Sequence, residues 1–267
     1  MSGPAPSAAS THESTSLGQP RVHLRRTGST NERARELAFA GAPHGTLVTA
    51  SEQTAGRGRQ GRSWSAPAAS SLLMSLVLRG VPPLLPLAAA VAVCEVAGAQ
   101  ARIKWPNDIV VESPGGGREL AKLAGILIEG RPQEGWAVLG IGLNVAVRLD
   151  QLPPELRPGA TGRAGGGTGL PAATLGLGAE DIESMLARVL QALARRLTEP
   201  AQATLEAWRT RDALRGREVV WSAVDAENQL GRGRAEGIDG TGRLLVALDG
   251  GGRTTIGAGE VHLRALG

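Results

Sequence analysis

Aromatic residues are almost missing from this 267-residue chain, which has no tyrosine, one phenylalanine (Phe39) and five tryptophans. The core must therefore be aliphatic. Single-strand nucleic-acid binding, which relies on aromatic stacking platforms, is disfavoured. Cysteine is as scarce: Cys94 alone excludes an internal disulfide framework and a cysteine-rich metal cluster. Its neighbours are Val and Ala, which marks it as a buried small hydrophobe. The four histidines (His12, His23, His44, His262) lack metal-ligand spacing, which argues against a histidine zinc site. The longest apolar run, Leu84 to Gly98, is broken by Pro86 and Glu95 and is too short to span a bilayer. No apolar signal core opens the chain, so a cytoplasmic location with no membrane partner is expected.

What is present is aliphatic and basic: 42% apolar, 20% charged, formal net charge +4 and pI about 10.4. Such a balance favours anionic partners without naming them. Of the 29 basic residues only Lys104 and Lys122 are lysines. Codons poor in A and T would give this avoidance of Lys and Asn. Yet both lysines, with Asn31, Asn107 and Asn144, fall inside short polar motifs. Arg cannot replace Lys where a compact point charge is required, so these positions are the first candidates for chemistry.

Along the chain, residues 1–20 are mostly Ser, Ala, Pro, Thr and Gly with one Leu, which predicts a disordered tail. A catalytic domain is expected over 21–214 and a second unit over 215–267. Val22 and Leu24 alternate with polar residues as in a strand. Ser29 and Glu32 have capping-box spacing and open a helix to Gly41. Strand-like runs follow at Thr46–Ala50, Leu72–Leu78, Ile109–Glu112, Leu123–Glu129 and Trp136–Val145, with a helix buried all round from about Leu84 to Ala101. Pro153 to Gly178 reads as loop. Ile182, Met185, Leu186, Val189, Leu190, Leu193 and Leu197 then recur at helical spacing behind Asp181, a candidate cap. Pro200 ends that helix, and a shorter one carries Leu205, Trp208 and Leu214. Short strands at Glu218–Ala223, Gly233–Ile238, Leu244–Leu248 and Arg253–Ile256, split by Gly- and Asp-rich turns, predict a small all-β barrel. The fold class expected is α+β: a mixed sheet with packed helices, plus that barrel.

The loop Gly56-Arg57-Gly58-Arg59-Gln60-Gly61-Arg62 formally matches G-x-G-x-x-G. A dinucleotide site would need a helix directly after it and an acid about 20 residues on. Ser63-Trp64-Ser65-Ala66-Pro67 follows instead, and Met74 to Arg79 holds no acid, so that reading is rejected. Neither Lys precedes Ser or Thr, so a Walker loop fails too. Three arginines on a glycine hinge remain, able to grip carboxylate or phosphate, with no apolar side chain to anchor the loop. Lys104-Trp105-Pro106-Asn107-Asp108 places a cation, an amide and a carboxylate together at a strand end. Lys122-Leu123-Ala124-Gly125-Ile126-Leu127 follows a Gly-rich turn, and Gly140-Ile141-Gly142-Leu143-Asn144 ends a buried strand on an Asn.

Taken in order, Gly28-Ser29-Thr30-Asn31, Gln53-Thr54-Ala55-Gly56-Arg57-Gly58-Arg59-Gln60-Gly61-Arg62-Ser63-Trp64 and these last three motifs resemble the biotin protein ligase family. The resemblance covers about residues 21–267. It implies a class II synthetase-like catalytic fold with an SH3-like C-terminal barrel, and two chemical steps. Biotin and ATP would give biotinyl-5′-AMP and pyrophosphate; the biotinyl group would then pass to a lysine of a biotin carboxyl carrier protein domain. By the same resemblance Ser29, Thr30, Asn31 and Gln53 would line the ureido pocket. Arg57, Gly58 and Arg59 would wrap the biotin carboxylate and the adenylate phosphate, and Lys122 would hold the two reacting groups together. Lys104, Asn107 and Asn144 would serve the nucleotide, and Asp108 would serve ATP and Mg²⁺. Gly259 to Arg264 resembles the family's closing segment.

The residue types suit such a reaction. Carboxylate attack on phosphate is opposed by charge repulsion, so cations must neutralise both partners, and no side-chain nucleophile is required. Members that repress transcription carry a winged helix-turn-helix ahead of the catalytic domain; residues 1–20 are not one, so no specific DNA partner is expected. A monomer and a homodimer both remain open. The rivals are a lipoate or octanoate ligase of the same superfold, which would want an apolar acyl channel, and a basic nucleic-acid-binding module.

Overall fold

The computed structural model describes residues 17–113, 119–158, 170–222, 230–257 and 260–263. Residues 1–16 of the expected tail, 159–169 of the expected loop, and Gly259 and Arg264 lie outside these.

Seven strands form the larger sheet: β1 (Arg21–Leu24), β2 (Leu47–Ala50), β3 (Ser71–Arg79), β4 (Arg102–Lys104), β5 (Asp108–Glu112), β6 (Leu120–Arg131) and β7 (Trp136–Asn144). Their order is β1-β2-β3-β7-β6-β5-β4. Only β1 and β2 run parallel; every other pair is antiparallel, so the sheet is mixed as expected. Strand periodicity sorts the side chains between two faces. Leu72, Met74, Leu76 and Leu78 of β3 turn to the main core. Val77 turns the other way, with Val48 and Val138, against Ala34 and Ala38 of helix α1 (Thr30–Phe39).

The main core is closed by α2 (Leu85–Ala97), α3 (Ile182–Thr198) and α4 (Ala201–Arg209), with α2 packed on both of the others. As its composition predicts, α2 is buried on nearly every side. It stops at Ala97 rather than Ala101 because Gly98 takes φ +107, which side-chain-bearing residues avoid. The stretch after it becomes β4, a three-residue strand too short to show a period. On α3 the buried side is Met185, Leu186, Val189 and Leu193, as the spacing predicts. Asp181 acts one turn early, its Oδ2 accepting from the Gly178 N–H at 3.0 Å. Helix α4 ends before Leu214, which is buried beyond it.

The second sheet holds β8 (Glu218–Ser222), β9 (Leu230–Ile238), β10 (Leu244–Leu248), β11 (Arg253–Ile256) and β12 (Glu260–Leu263), in the order β11-β10-β9-β8-β12, all antiparallel. The expected barrel is thus a five-stranded antiparallel sheet, with the closing segment supplying β12. Its core is not separate: Val219, Trp221, Leu244, Val246 and Val261 join the same buried cluster as α2 and β3.

The tail expectation needs correction at its end, because the chain is already ordered at Leu17. That side chain packs on the main core, the Gly18 N–H donates to Gly45 O at 2.9 Å, and Pro20 O accepts from the Leu47 N–H at 2.9 Å. One leucine and two backbone bonds suffice to fix this segment, which average composition does not register.

Candidate active site

On the α1 face of the large sheet, β6 and β7 meet in a cavity whose floor is glycine. Register pairs Gly125 with Gly142 and Leu127 with Gly140. A Cβ on Gly140 would land on the Asn31 amide, and one on Gly142 would lie 2.6 Å from the Trp64 ring. The glycines therefore let two side chains lie directly on the strands. The indole N–H of Trp64 is buried there, with no hydrogen-bond partner among the described residues.

One end of the cavity is lined by neutral polar side chains joined by hydrogen bonds. Gln53 Oε1 accepts from the Thr30 backbone N–H at 2.7 Å and from Thr30 Oγ1 at 3.0 Å. Ser75 Oγ, wholly buried on β3, lies 2.9 Å from Thr30 Oγ1 and 2.6 Å from Asn31 Oδ1. Asn31 Nδ2 donates to Glu129 Oε2 at 2.8 Å. Ser29 lines the same end at the N-terminus of α1. Its expected capping box does not form: Ser29 makes no side-chain cap bond, and Glu32 turns instead to Arg57 Nη2 at 3.1 Å. The ion pair across to the arginine loop takes the carboxylate that the box would have used.

The other end is charged. Lys104 ends β4, residues 105–107 form the turn, and Asp108 begins β5, so the Lys-Trp-Pro-Asn-Asp motif is a hairpin turn. Lys122, on the neighbouring β6, places Nζ 2.7 Å from Asp108 Oδ1, while Lys104 Nζ lies 3.9 Å from Oδ2. Burial would raise the Asp108 carboxyl, but the two ammonium groups override it and hold the group below the usual carboxylate range. For Lys104 burial wins, and its ammonium is shifted down despite Asp108. Lys122 Nζ also stands 5.5 Å over the Trp64 ring. Arg59 Nη1 approaches Asn107 Oδ1 at 3.5 Å, and Asn107 Nδ2 donates to Ile126 O at 2.9 Å. Burial shifts the Arg59 guanidinium down as well. Three strands thus bring to one end charges that are distant in sequence.

The glycine–arginine loop is not a featureless hinge. Arg57 and Ser63 form a bridge, the Gly58 N–H donates to Arg62 O at 2.7 Å, and the Trp64 N–H donates to Gly56 O at 2.9 Å. Gln60, at φ +54, turns the corner. Backbone bonds supply the anchor that side-chain composition does not.

Ser29, Thr30, Asn31, Gln53, Arg57, Gly58, Arg59, Lys104, Asn107, Asp108 and Lys122 all line this one cavity. Asn144 does not. Its Oδ1 accepts from Ser71 Oγ at 3.2 Å and its Nδ2 donates to Ala173 O at 2.9 Å, which fixes the buried amide at the end of β7 with one N–H and one lone pair still unassigned. What the rest of its motif brings to the cavity is the glycine pair. Sequence reasoning missed Ser75, Trp64 and Glu129; for Trp64 the signal was its place directly after the arginine loop. Among the described residues, no group of three or more His, Cys, Asp or Glu converges as a metal cage, and no helix is long and apolar enough to cross a membrane.

Residues 23–145 match the Biotin/lipoate A/B protein ligase family, and residues 224–264 match the biotin protein ligase C-terminal domain. The bifunctional ligase/repressor BirA of Bacillus subtilis is 41% identical over 157 residues, 54% of this chain and 46% of that protein. The match therefore spans about half the length of that relative. The biotin–[acetyl-CoA-carboxylase] ligase of Mycobacterium tuberculosis is 36% identical over 257 residues, 89% of this chain and 87% of that one. The biotin protein ligase from Aquifex aeolicus, in complex with biotin and ATP, shares the fold with a TM-score of 0.71 at 24% identity, covering 92% of this chain and 99% of that one.

Proposed function

This chain belongs to the biotin protein ligase family, and from that premise we propose that it activates biotin with ATP and transfers the biotinyl group to a lysine of a carrier-protein domain. The observation that carries the reading is the polarity of the cavity. A neutral network of Gln53, Thr30, Asn31 and Ser75 lies at one end, and Lys122, Asp108, Lys104 and Arg59 at the other. Biotin has the complementary shape, with a neutral ureido ring and a carboxylate joined by a short apolar chain. An acyl substrate without the ureido ring would strand the buried polar end, at about 1–3 kcal/mol per unsatisfied group.

In the first step the biotin carboxylate oxygen bonds to the α-phosphorus of ATP, and the bond to the pyrophosphate oxygen breaks. Lys122, fixed by Asp108 and Trp64, is the point charge between the two anions, while Arg57 and Arg59 take the phosphate and carbonyl oxygens. Lys104 and Asn107 serve the nucleotide. Asp108, the one carboxylate lining the cavity among the described residues, would give a single protein contact to a Mg²⁺ bound with the phosphates, an ion that commonly takes one or two carboxylates. When bound, that ion neutralises phosphate charge. In the second step the acceptor lysine nitrogen attacks the anhydride carbonyl and AMP leaves. The arginine loop, closing over the anhydride, excludes water. The catalytic unit runs to about residue 214, the second sheet follows it, and the enzyme acts in the cytoplasm.

The test is incubation with biotin, ATP, Mg²⁺ and a carrier domain, followed by intact-mass spectrometry. A mass gain of one biotinyl group on the carrier, dependent on ATP, is the expected result. No gain, or an equal gain with lipoate or octanoate, would overturn the reading.

A further inference from the structure

Glu129 lies outside the cavity, on β6 one residue pair from Leu127, and its carboxylate reaches in to one pocket residue. Its Oε2 accepts from Asn31 Nδ2 at 2.8 Å, and its Oε1 lies 3.6 Å from Arg35, one turn further along α1. We propose that Glu129 is a positioning residue that sets the orientation of the Asn31 amide, and through it the direction of the Asn31–Ser75 hydrogen bond, at the neutral end of the pocket; this rests on the reading of that end as the ureido site.

An ionised carboxylate only accepts, so Asn31 must present its NH₂ to Glu129 and its Oδ1 to Ser75. Ser75 has one proton, and it goes to Asn31 Oδ1 at 2.6 Å. The Ser75 oxygen is then left to accept, and the Thr30 hydroxyl beside it, at 2.9 Å, is left to donate. Gln53 Oε1, already holding the Thr30 backbone N–H, is the other acceptor within reach of that hydroxyl. Glu129 at 2.8 Å, the shorter of two accepting contacts beside Leu127 O at 3.5 Å, thus disfavours the alternative in which the Asn31 amide flips and the Ser75 proton turns away. Asn31 and Ser75 are buried, so no water restores the order. A ligand carrying both a carbonyl and two N–H groups needs the pocket in one of these states, and the flipped state binds it poorly.

Three variants and two readouts test this: Glu129→Leu, Glu129→Gln and Ser75→Ala, each with ligation kinetics and with calorimetric titration of biotin, which needs no turnover. Glu129→Leu should raise the KM and Kd for biotin about ten- to a hundredfold, the effect of a lost hydrogen bond to a charged group. Its kcat and its KM for ATP should stay near the parental values. Glu129→Gln keeps an accepting oxygen and should stay within about threefold of parental, as one residual hydrogen-bond preference allows. Should the Leu variant fail to fold, Ser75→Ala carries the test, because removing the donor to Asn31 must also weaken biotin without touching the KM for ATP. Parental biotin affinity in Glu129→Leu or in Ser75→Ala, or equal loss in Gln and Leu, overturns the proposal. A parental enzyme that ligates biotin while these variants do not discriminate defeats this inference alone. A parental enzyme that binds no biotin defeats the site reading beneath it.

Discussion

Replacing Lys122 tests whether a point charge is required at the charged end of the cavity. Its ammonium lies 2.7 Å from a carboxylate that is 8% exposed. Lys122→Ala leaves Asp108 with Lys104 at 3.9 Å and the more distant guanidinium charges of Arg59 and Arg62. Removing one partner of a buried pair costs about 3–5 kcal/mol. The Lys122 side chain is itself 28% exposed, so solvent screening brings the expected loss to about 1–3 kcal/mol, a fall of roughly 2–10 °C in Tm. Adenylation should fall by about one to two decades, from lost charge-assisted contacts of about 1.5–3 kcal/mol. Lys122→Arg separates the two effects. It restores charge beside Asp108, so most of the Tm should return, but a planar fork does not fit between two oxyanions and the rate should not. The acid side carries a further sign. The Asp108 carboxyl is held low in the folded state, so its contribution is present above the unfolded carboxylate pKa and is lost as pH falls through the lower, folded one. Without Lys122 that folded value rises toward the unfolded one, so the acid loss of Tm due to Asp108 should be smaller and complete at higher pH than in the parent. The assays are pyrophosphate release and melting curves taken from neutral to acid pH. Parental adenylation by Lys122→Arg would refute the point-charge argument, and an unmoved acid limb in Lys122→Ala would refute the coupling to Asp108.

Gly142→Ala should drive the Trp64 ring off the strand floor, because the new methyl would lie 2.6 Å from it. Biotin affinity should drop at least tenfold, about 1.4 kcal/mol, with a shift in tryptophan emission; unchanged titration and emission would show that the ring can rest elsewhere. Removing residues 1–16, which bear almost no apolar surface, should leave Tm unchanged, whereas removing 1–20 should cost about 1–3 kcal/mol through Leu17 and its neighbouring backbone bonds. Equal melting of the two truncations would refute the packing of Leu17. Trypsin cleavage at Arg57, Arg59 and Arg62, mapped by mass, should slow when biotin and ATP are both present, as ligand binding stabilises the loop; identical cutting with and without them would remove these arginines from the site.

Rarity was the most informative signal in the sequence, and its reach has a physical limit. In a chain that avoids Lys and Asn, Lys104, Lys122, Asn31 and Asn107 stand out, and all four line the cavity. Asn144 stands out equally, and outside that lining it bonds to Ser71 and Ala173. A rare residue marks a position where chemistry is demanding, and closing a buried strand is demanding too. Ser75 and Glu129 were invisible because a common residue on a strand gains its role from register, which is fixed by partners 44 to 98 positions away. The capping-box pattern at Ser29 and Glu32 was legible and misleading, since a local motif loses to a tertiary ion pair when Arg57 is within reach. The mixed sheet, α2 and the amphipathic α3 were legible because their periods are long; three-residue β4 has no period to read.

The indole of Trp105 donates from Nε1 to Gly242 O at 3.1 Å, across the seam between the two sheets. The receiving turn is rigid. Hydrogen bonds from Thr241 and Arg243 outweigh partial burial and hold the Asp239 carboxyl at about 2, and Gly242 leaves room for Leu87 of α2 beneath it. Lys104 and Asp108 flank that tryptophan within five consecutive residues, so the second sheet acts as a jig for cavity charges it does not contribute. A chimera that grafts another relative's C-terminal sheet here would keep every residue of the cavity's charged end and still lose their alignment, unless the graft presents a carbonyl at the height of Gly242. Modularity in sequence is therefore not interchangeability in this chain, and the exchangeable part is the sheet together with the turn that Trp105 grips.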